Sequence, residues 1–267
     1  MTALIGMTEN EEIRSQDVTV QKTHEYVEWQ AFWSERTDSP HAVKWRSKNK
    51  RMEKRGKLIN YAKAAPQIQK ELDEARVAEW AKWQKYEAVT VISANEAARL
   101  RAEGAEEIGT QWIEIDKNEH LRTSAKNATT IPRKLKSRLV ALGNQEKAEL
   151  RSDSPTADTE AVHLVFSFAA SRRLKVKSGD LENAYFLGMK MSRTLLLRVP
   201  RGGLPGVADD ARLIARVPIY GTHDAGRGFW KRLRVTLTSG AKLHENRIMK
   251  ACYSYQKDGR IVCVMAT

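Results

Sequence analysis

The segment from residue 159 to residue 180 constrains the fold more than any other part of the sequence. Asp158 is a typical helix N-cap, and the residues that follow it up to Arg172 are apolar at most positions, which predicts a helix buried on all sides. Apolar and polar residues then alternate from Leu174 to Asp180, with the periodicity of a strand. We therefore expect a sheet with helices packed on it, and an aspartate at the end of one strand.

Predicted helices and strands are mixed along the rest of the chain. Further helices are predicted over residues 66–86, 94–103 and 228–238, with Ser93 as an N-cap and Gly104 as a helix end. Strands are predicted at residues 89–92, 110–115, 134–142 and 195–199, with a hairpin at 251–256 and 261–265. Because the elements do not alternate strictly as strand, helix, strand, we expect an α+β fold with a mixed sheet and packed helices.

The charge of the chain indicates the kind of partner. Its 267 residues have a formal net charge of +13 at pH 7, and the pI is near 9.7. Such an excess of Lys and Arg favours polyanions as partners, with nucleic acid first. The sequence has no apolar run of membrane-spanning length and no signal-peptide pattern at its start. We therefore expect an intracellular protein, cytoplasmic or nuclear, that is neither secreted nor membrane-bound.

The chain divides into two regions at about residue 70. Residues 1–70 are predicted to be a basic N-terminal arm or linker, partly disordered or helical, with irregular structure over residues 1–39. The cations of this arm are Lys44, Arg46, Lys48, Lys50, Arg51, Lys54, Arg55 and Lys57. Such a run is compatible with phosphate binding, nuclear targeting or simple solvation. Residues 71–267 are predicted to form the folded domain.

Three segments of this domain carry a family resemblance. They are KSRLVALG at 136–143, GDLENAYFLG at 179–188 and IYGTHDAGRGFW at 219–230, and the hairpin follows them. Their order and spacing over residues 74–267 resemble the fingers and partial palm of copia-type retrotransposon reverse transcriptases. The resemblance implies a fragment of a Pol polyprotein whose intact relatives synthesise DNA on an RNA template.

The resemblance also implies roles for four residues. Asp180 corresponds to a catalytic aspartate that binds Mg²⁺, and Tyr185 to the aromatic residue that stacks under the sugar of the incoming dNTP. Lys136 and Arg138 correspond to cations that meet its triphosphate, beside an RNA template and a DNA primer. From the residues alone, Asp180 is better explained as an ordinary strand-terminating residue, Tyr185 is equally well a core residue, and the two cations are compatible with a solvated strand face.

The chain departs from the family in two places. Asp224-Ala225-Gly226 stands where the family has Gln-Ala-Pro, and the family's Tyr-x-Asp-Asp motif is expected just after Thr267. Asp209-Asp210 follows a Gly/Pro-rich loop and is not a replacement for that motif. Because one carboxylate does not hold the two metal ions of nucleotidyl transfer, the chain is expected to be inactive as a polymerase by itself.

Two other functions are compatible with the residues. One is a non-enzymatic nucleic-acid-binding protein that uses the basic residues 44–57, with Trp45 as a stacking residue. The other is a helical adaptor that binds a protein partner through the helix bearing Trp80 and Trp83. The sequence does not fix the oligomeric state.

Overall fold

The computed structural model describes residues 2–7, 50–53, 56–124 and 131–267, and its mixture of helices and strands confirms the α+β class. Strands β1 to β11 are Thr2–Met7, Val89–Ile92, Glu106–Ile108, Thr110–Asp116, Leu135–Ala141, Lys175–Asp180, Leu195–Arg198, Arg212–Ala215, His244–Glu245, Cys252–Lys257 and Arg260–Ala266. Helices α1 to α5 are Pro66–Lys85, Ala94–Ala102, Glu119–Ser124, Thr159–Ser171 and Ala225–Val235. None of the described helices is long and apolar enough to cross a membrane.

Helix α1 is held in place by its tryptophans. Pro66 lies in the first turn, where a missing N–H leaves no intrahelical hydrogen bond unmade. Trp80 and Trp83 are buried in the main core with Leu139 and Ala141 of β5. Burial of a large apolar side chain contributes about 1.5–3 kcal/mol, so these two residues fix α1 against β5.

The first sheet has four strands in the order β2-β8-β7-β3. Strand β3 is parallel to β7, and the other pairs are antiparallel. Residues Leu195, Leu196 and Leu197 of β7 are all fully buried, because core side chains cover both faces of this strand. The predicted strands β2 and β7 are confirmed, whereas β3 and β8 were not predicted.

Strands β4 and β5 form a separate antiparallel ribbon, with Trp112 opposite Leu139. Asp116 closes one end of the ribbon. Its buried carboxylate accepts hydrogen bonds from the backbone N–H groups of Asn118 (2.9 Å) and Lys134 (3.1 Å), and it pairs with Arg122. These contacts therefore hold the end of β4 next to the start of β5.

The second sheet has five strands in the order β6-β1-β11-β10-β9. Strand β1 is antiparallel to both of its neighbours, with Thr2 opposite Asp180 and Leu4 opposite Ala266. This pairing corrects the prediction that the N-terminal residues are irregular, because residues 2–7 form an inner strand of this sheet. The beginning of β1 and the end of β11 thus lie side by side near Asp180.

The predicted hairpin is confirmed as β10 and β11. Its connection is Asp258-Gly259, and both residues have positive φ, at 50° and 72°. An Asp-Gly pair of this conformation is favoured in two-residue hairpin loops because its twist matches that of the strands.

Helix α4 is buried on one face only. The predicted cap is confirmed, since the Asp158 carboxylate accepts a hydrogen bond from the Ala161 N–H at 2.8 Å. Ala161 and Val165 are fully buried, but Leu164 is 46% exposed and Phe166 38% exposed. The prediction of a helix buried on all sides is therefore wrong, because α4 packs against β1, β6 and β11 with one face alone.

Helix α5 begins at Ala225, three residues before the predicted start, and passes at Thr236 into a π-helical turn that ends at Gly240. Gly228 lies inside the helix. A Cβ atom there would stand 2.7 Å from the ring of Pro218, so glycine lets the helix approach this proline closely.

Candidate functional site

Strand β5 places two cations on one face. Lys136 and Arg138 are partly buried on this face. The alternate residues Ser137 and Leu139 are buried on the other face of the strand. The hydroxyl of Ser137 donates a hydrogen bond to the backbone carbonyl of Leu72 in α1, at 3.3 Å. Alternation along the strand therefore directs the two cations away from the Leu72 contact.

The environment of Lys136 disfavours its positive charge. Its pKa is lowered to about 8, first by burial of the amine and then by repulsion from Arg138 and Lys117. Glu79 of α1 acts in the opposite direction and does not compensate. A bound anion would remove this penalty, and perturbed ionisable groups of this kind concentrate at functional sites.

The depressed pKa makes a prediction about stability. The folded-state pKa, about 8, lies below the ordinary value of 10.5, so the amine contributes stability above pH 10.5 that is lost as the pH falls through 8. We expect Lys136→Met to raise the free energy of unfolding at pH 7 by about 1–2 kcal/mol, after allowance for solvent screening of a partly exposed amine. Urea unfolding at pH 7, 9 and 10.5 measures the difference.

The matched control is Lys134→Met, since Lys134 is exposed and immediately precedes β5. Its unfolding curve should follow the unsubstituted protein at every pH. A Lys136→Met protein whose advantage persists unchanged at pH 10.5 would contradict the burial of a charged amine.

Tyr220 is fixed beside this cation pair by the backbone that follows it. The Ala141 N–H donates a hydrogen bond to the carbonyl of Tyr220 at 2.8 Å. Gly221 has φ +98°, and a Cβ atom there would overlap the carbonyl oxygen of Ala141. Gly143 makes an equally close contact with the same segment, since a Cβ atom on Gly143 would overlap the carbonyl oxygen of Gly221. Glycine at these positions lets the segment after β8 lie directly on the end of β5.

The ring of Tyr220 stands between several predicted site residues. Its centroid lies 4.8 Å from that of Tyr185 in an edge-on contact, and the guanidinium carbon of Arg138 lies 6.0 Å from it. Burial raises the pKa of the Tyr220 hydroxyl, Arg138 opposes this rise, and the carboxylates of Glu79 and then Asp180 add to it.

Tyr185 is positioned by its neighbour. Ala184–Leu187 form a 3₁₀ turn just after the end of β6, and Asn183 before it has φ 53°. Phe186 is buried against Trp83, with ring centroids 5.6 Å apart. Anchoring Phe186 in the core leaves Tyr185 half-buried at the Tyr220 contact.

The structure thus brings Arg138 and Tyr185 together at Tyr220, with Lys136 on the same face of β5 as Arg138, and Asp180 lies at the end of β6 just before the turn that carries Tyr185. Tyr220 was not predicted as a site residue. The Tyr-Gly pair in the third motif is the only sequence signal for Tyr220. Its structural reason is the close contact of Gly221 with the end of β5.

The predicted basic arm falls mostly outside the described residues: Lys44, Arg46, Lys48, Lys54 and Arg55 lie there. Lys50 and Arg51 are exposed on a short helical segment. The backbone of Lys57 is tied to the ribbon, because the Asp116 N–H donates to its carbonyl at 2.9 Å.

The described residues do not fit a two-metal site. Among them, no group of three or more His, Cys, Asp or Glu side chains is placed to hold a metal ion. Asp180 is exposed at the end of β6, and two Mg²⁺ ions need several carboxylate oxygens. The arrangement can hold a polyanion with its cations and planar rings, and no metal-dependent step follows from it.

Asp224 belongs to an ion cluster. One guanidinium nitrogen of Arg193 lies 2.8 Å from the Glu146 carboxylate and 3.6 Å from that of Asp224, and another lies 3.4 Å from Glu106. Burial raises the pKa of Glu146, and Arg193 opposes this rise. Asp224 therefore helps to hold the start of α5 to the turn after β5.

Comparisons with known proteins found no relative. The chain matches no protein-family model, no curated protein is similar to it, and no solved structure matches its fold.

Proposed function

We propose that this chain derives from a copia-type reverse transcriptase and binds deoxynucleoside triphosphates at the Tyr220 site, without polymerising them by itself. The observation that carries the proposal is the convergence of Arg138 and Tyr185 on the ring of Tyr220. Arg138, Tyr185 and Tyr220 come from three motifs that are far apart in sequence.

The residue types suit the parts of a nucleotide. A guanidinium binds phosphate oxygens in a bidentate manner, and the Lys136 amine adds a point charge beside it. Tyr185 and Tyr220 offer ring surfaces and edges to the sugar and base. The lowered pKa of Lys136 implies that binding of a triphosphate would be accompanied by proton uptake at the Lys136 amine near pH 8.

The experiment is a titration of the full chain with a fluorescent dATP analogue. We expect Lys136→Gln with Arg138→Gln to weaken binding about 100-fold, because charge-assisted hydrogen bonds contribute about 1.5–3 kcal/mol each. The control is Lys231→Gln with Arg232→Gln, which removes the same charges from the exposed side of α5. Equal weakening by the two double variants would contradict a specific site.

A second candidate function rests on the net charge of +13 and the cations at residues 44–57. In this case the arm binds nucleic acid without the Tyr220 site. Deletion of residues 44–57 would then abolish binding of a DNA or RNA duplex whose affinity falls steeply with salt. If the deletion leaves that binding undiminished, the arm is not the binding element.

A further inference from the structure

A cavity of about 940 Å³ lies along one edge of strand β4, and its lining includes the consecutive residues 109–114. Alternate side chains of a strand point to opposite faces, so an unbroken run of lining residues means that the backbone edge of β4 borders the cavity. None of Lys136, Arg138, Tyr185 and Tyr220 lines it. The cavity is therefore separate from the Tyr220 site, and its volume is within the range of binding sites in proteins, which is about 300–1,000 Å³.

The hydrogen bonds of β4 identify the backbone groups that face this cavity. On the side of β5, the Leu142 N–H donates to the carbonyl of Gly109 at 2.8 Å, so the odd-numbered residues of β4 bond to β5 and the even-numbered residues face the other edge. On that other edge, residues 57–59 run antiparallel to β4, and the Ile59 N–H donates to the carbonyl of Glu114 at 2.9 Å. Residues 57–59 thus begin a third strand of the ribbon.

This third strand ends before the edge of β4 does. Beyond Ile59 the chain turns into a 3₁₀ helix over Tyr61–Lys63. Trp112 is the next residue of β4 that faces this edge, and its backbone N–H and C=O have no hydrogen-bond partner within the described part of the chain. An open strand edge is a template for pairing with another extended chain. Trp112 is therefore placed to bond a further strand that continues the direction of residues 57–59.

The walls beside this edge suit apolar side chains. Leu58, Ile59, Leu142 and Val199 line the cavity and are half-buried. The indole of Trp112 is held in place, because its Nε1–H donates to the carbonyl of Gly203 at 3.2 Å. Preformed walls reduce the entropy that is lost on binding, so an extended chain with apolar side chains is a suitable occupant.

The turn after β7 closes one end of the cavity. The Thr110 hydroxyl donates to the carbonyl of Arg198 at 2.7 Å, and the Gly203 N–H donates to the carbonyl of Pro200 at 3.0 Å. A strand that continues the direction of residues 57–59 runs toward Thr110 and meets this turn. Arg201, in the turn, is exposed and lines the cavity, and its side chain pairs with no residue of the described ranges. A chain that ends here would place its terminal carboxylate beside a free guanidinium, which binds carboxylates in a bidentate manner.

We propose that this cavity binds the C-terminal tail of a partner protein as a short strand antiparallel to β4, with the terminal carboxylate at Arg201. At about 3.4 Å per residue, the open edge between Glu114 and Thr110 has room for about four residues of the tail. Alternate residues of the tail bond to the backbone of Trp112, and apolar side chains of the tail contact the walls. The site is independent of nucleotide binding at Tyr220, so either proposal can fail without the other.

The probe is the peptide acetyl-Lys-Val-Thr-Val-Ile with a free C-terminal carboxylate; its lysine is chosen because Glu53, an exposed acid, also lines the cavity. We expect one molecule to bind the full chain with a dissociation constant at or below about 0.5 mM. The same peptide with a C-terminal amide should bind about tenfold more weakly, because it lacks the charge-assisted hydrogen bond. In protein labelled with ¹⁵N-tryptophan, the backbone resonance of Trp112, assigned by its loss in Trp112→Phe, should shift as the peptide is added.

N-methylation of the peptide tests whether it pairs as a strand. Only one edge of an added strand faces β4, so methylation at one set of alternate residues should weaken binding about tenfold, and methylation at the residues between them should have little effect. An equal effect at every position would contradict strand pairing.

Two variants separate this site from general attraction by a basic protein. Arg201→Gln should weaken binding of the free-carboxylate peptide about tenfold and leave binding of the amide unchanged. The control is Arg99→Gln, which removes an exposed cation of α2 and should change neither. Thermal unfolding shows that each variant is folded. The proposal is overturned if the free-carboxylate peptide does not saturate below about 5 mM, if the amide binds equally well, or if the two variants lose affinity alike.

Discussion

Replacing Gly221 with alanine is expected to lower the free energy of unfolding by about 3 kcal/mol or more and to abolish nucleotide binding. The residue has φ +98°, and a Cβ atom would overlap the carbonyl oxygen of Ala141. A left-handed conformation in a residue other than glycine costs about 1–3 kcal/mol, and overpacking against a fixed backbone adds a similar amount. Because Tyr220 precedes this glycine, relief of the overlap would also move its ring from Tyr185 and Arg138.

Gly206→Ala is the matched control. Gly206 has φ +71°, but nothing lies within 4 Å of the Cβ position. The free energy of unfolding of this variant should fall by only about 1 kcal/mol, because the backbone conformation is its only cost, and the variant should bind nucleotide normally. Chemical denaturation measures both losses. Equal losses in the two variants would contradict the close contact between Gly221 and β5.

The second large effect is expected at the ion pair of Arg76 and Glu114. The Nε of Arg76 donates to the Glu114 carboxylate at 2.7 Å, and only 4% of the Glu114 side chain is exposed. Burial raises the pKa of Glu114, and Arg76 lowers it. Arg76→Met should therefore cost about 3–5 kcal/mol of folding stability, because it leaves an uncompensated buried carboxylate.

The double variant Arg76→Met with Glu114→Met should recover most of that loss, since it removes both charges and keeps the volume similar. Arg99→Met is the control for an exposed pair, because Arg99 and Glu103 are 69% and 62% exposed, and its effect should stay below about 0.5 kcal/mol. If the double variant is less stable than Arg76→Met alone, the ion pair is not the source of the loss.

Local signals in the sequence were sufficient for several elements. Ser93 and Asp158 cap their helices as predicted, because an N-cap hydrogen bond depends on residues three positions apart. The Asp258-Gly259 loop likewise encodes its own hairpin. For these elements the decisive interactions lie within a few residues of the signal.

Other elements depend on distant pairing. Strand β1, at the start of the chain, pairs with β6 and β11, which lie in its last hundred residues, so its own sequence does not specify its place. Strand β3 begins with two glutamates, Glu106 and Glu107, and its charges are matched by arginines of other segments. The burial of α4 was overestimated because its composition does not tell which faces meet the sheet.

The sequence predicts only part of the candidate site, because one of its residues is placed by a contact between distant segments. Lys136, Arg138, Asp180 and Tyr185 stand in motifs that a single sequence displays. Tyr220 joins them through the contact of Gly221 with Ala141, eighty residues earlier in the chain, which no local pattern contains.

The most direct test of nucleotide binding at Tyr220 is photolabelling of the full chain with 8-azido-dATP, followed by identification of the labelled peptide. The proposal predicts that the label lies in a peptide containing Tyr185 or Tyr220 and that unlabelled dATP protects this peptide. Labelling confined to residues 44–57, or labelling that dATP does not reduce, would contradict it.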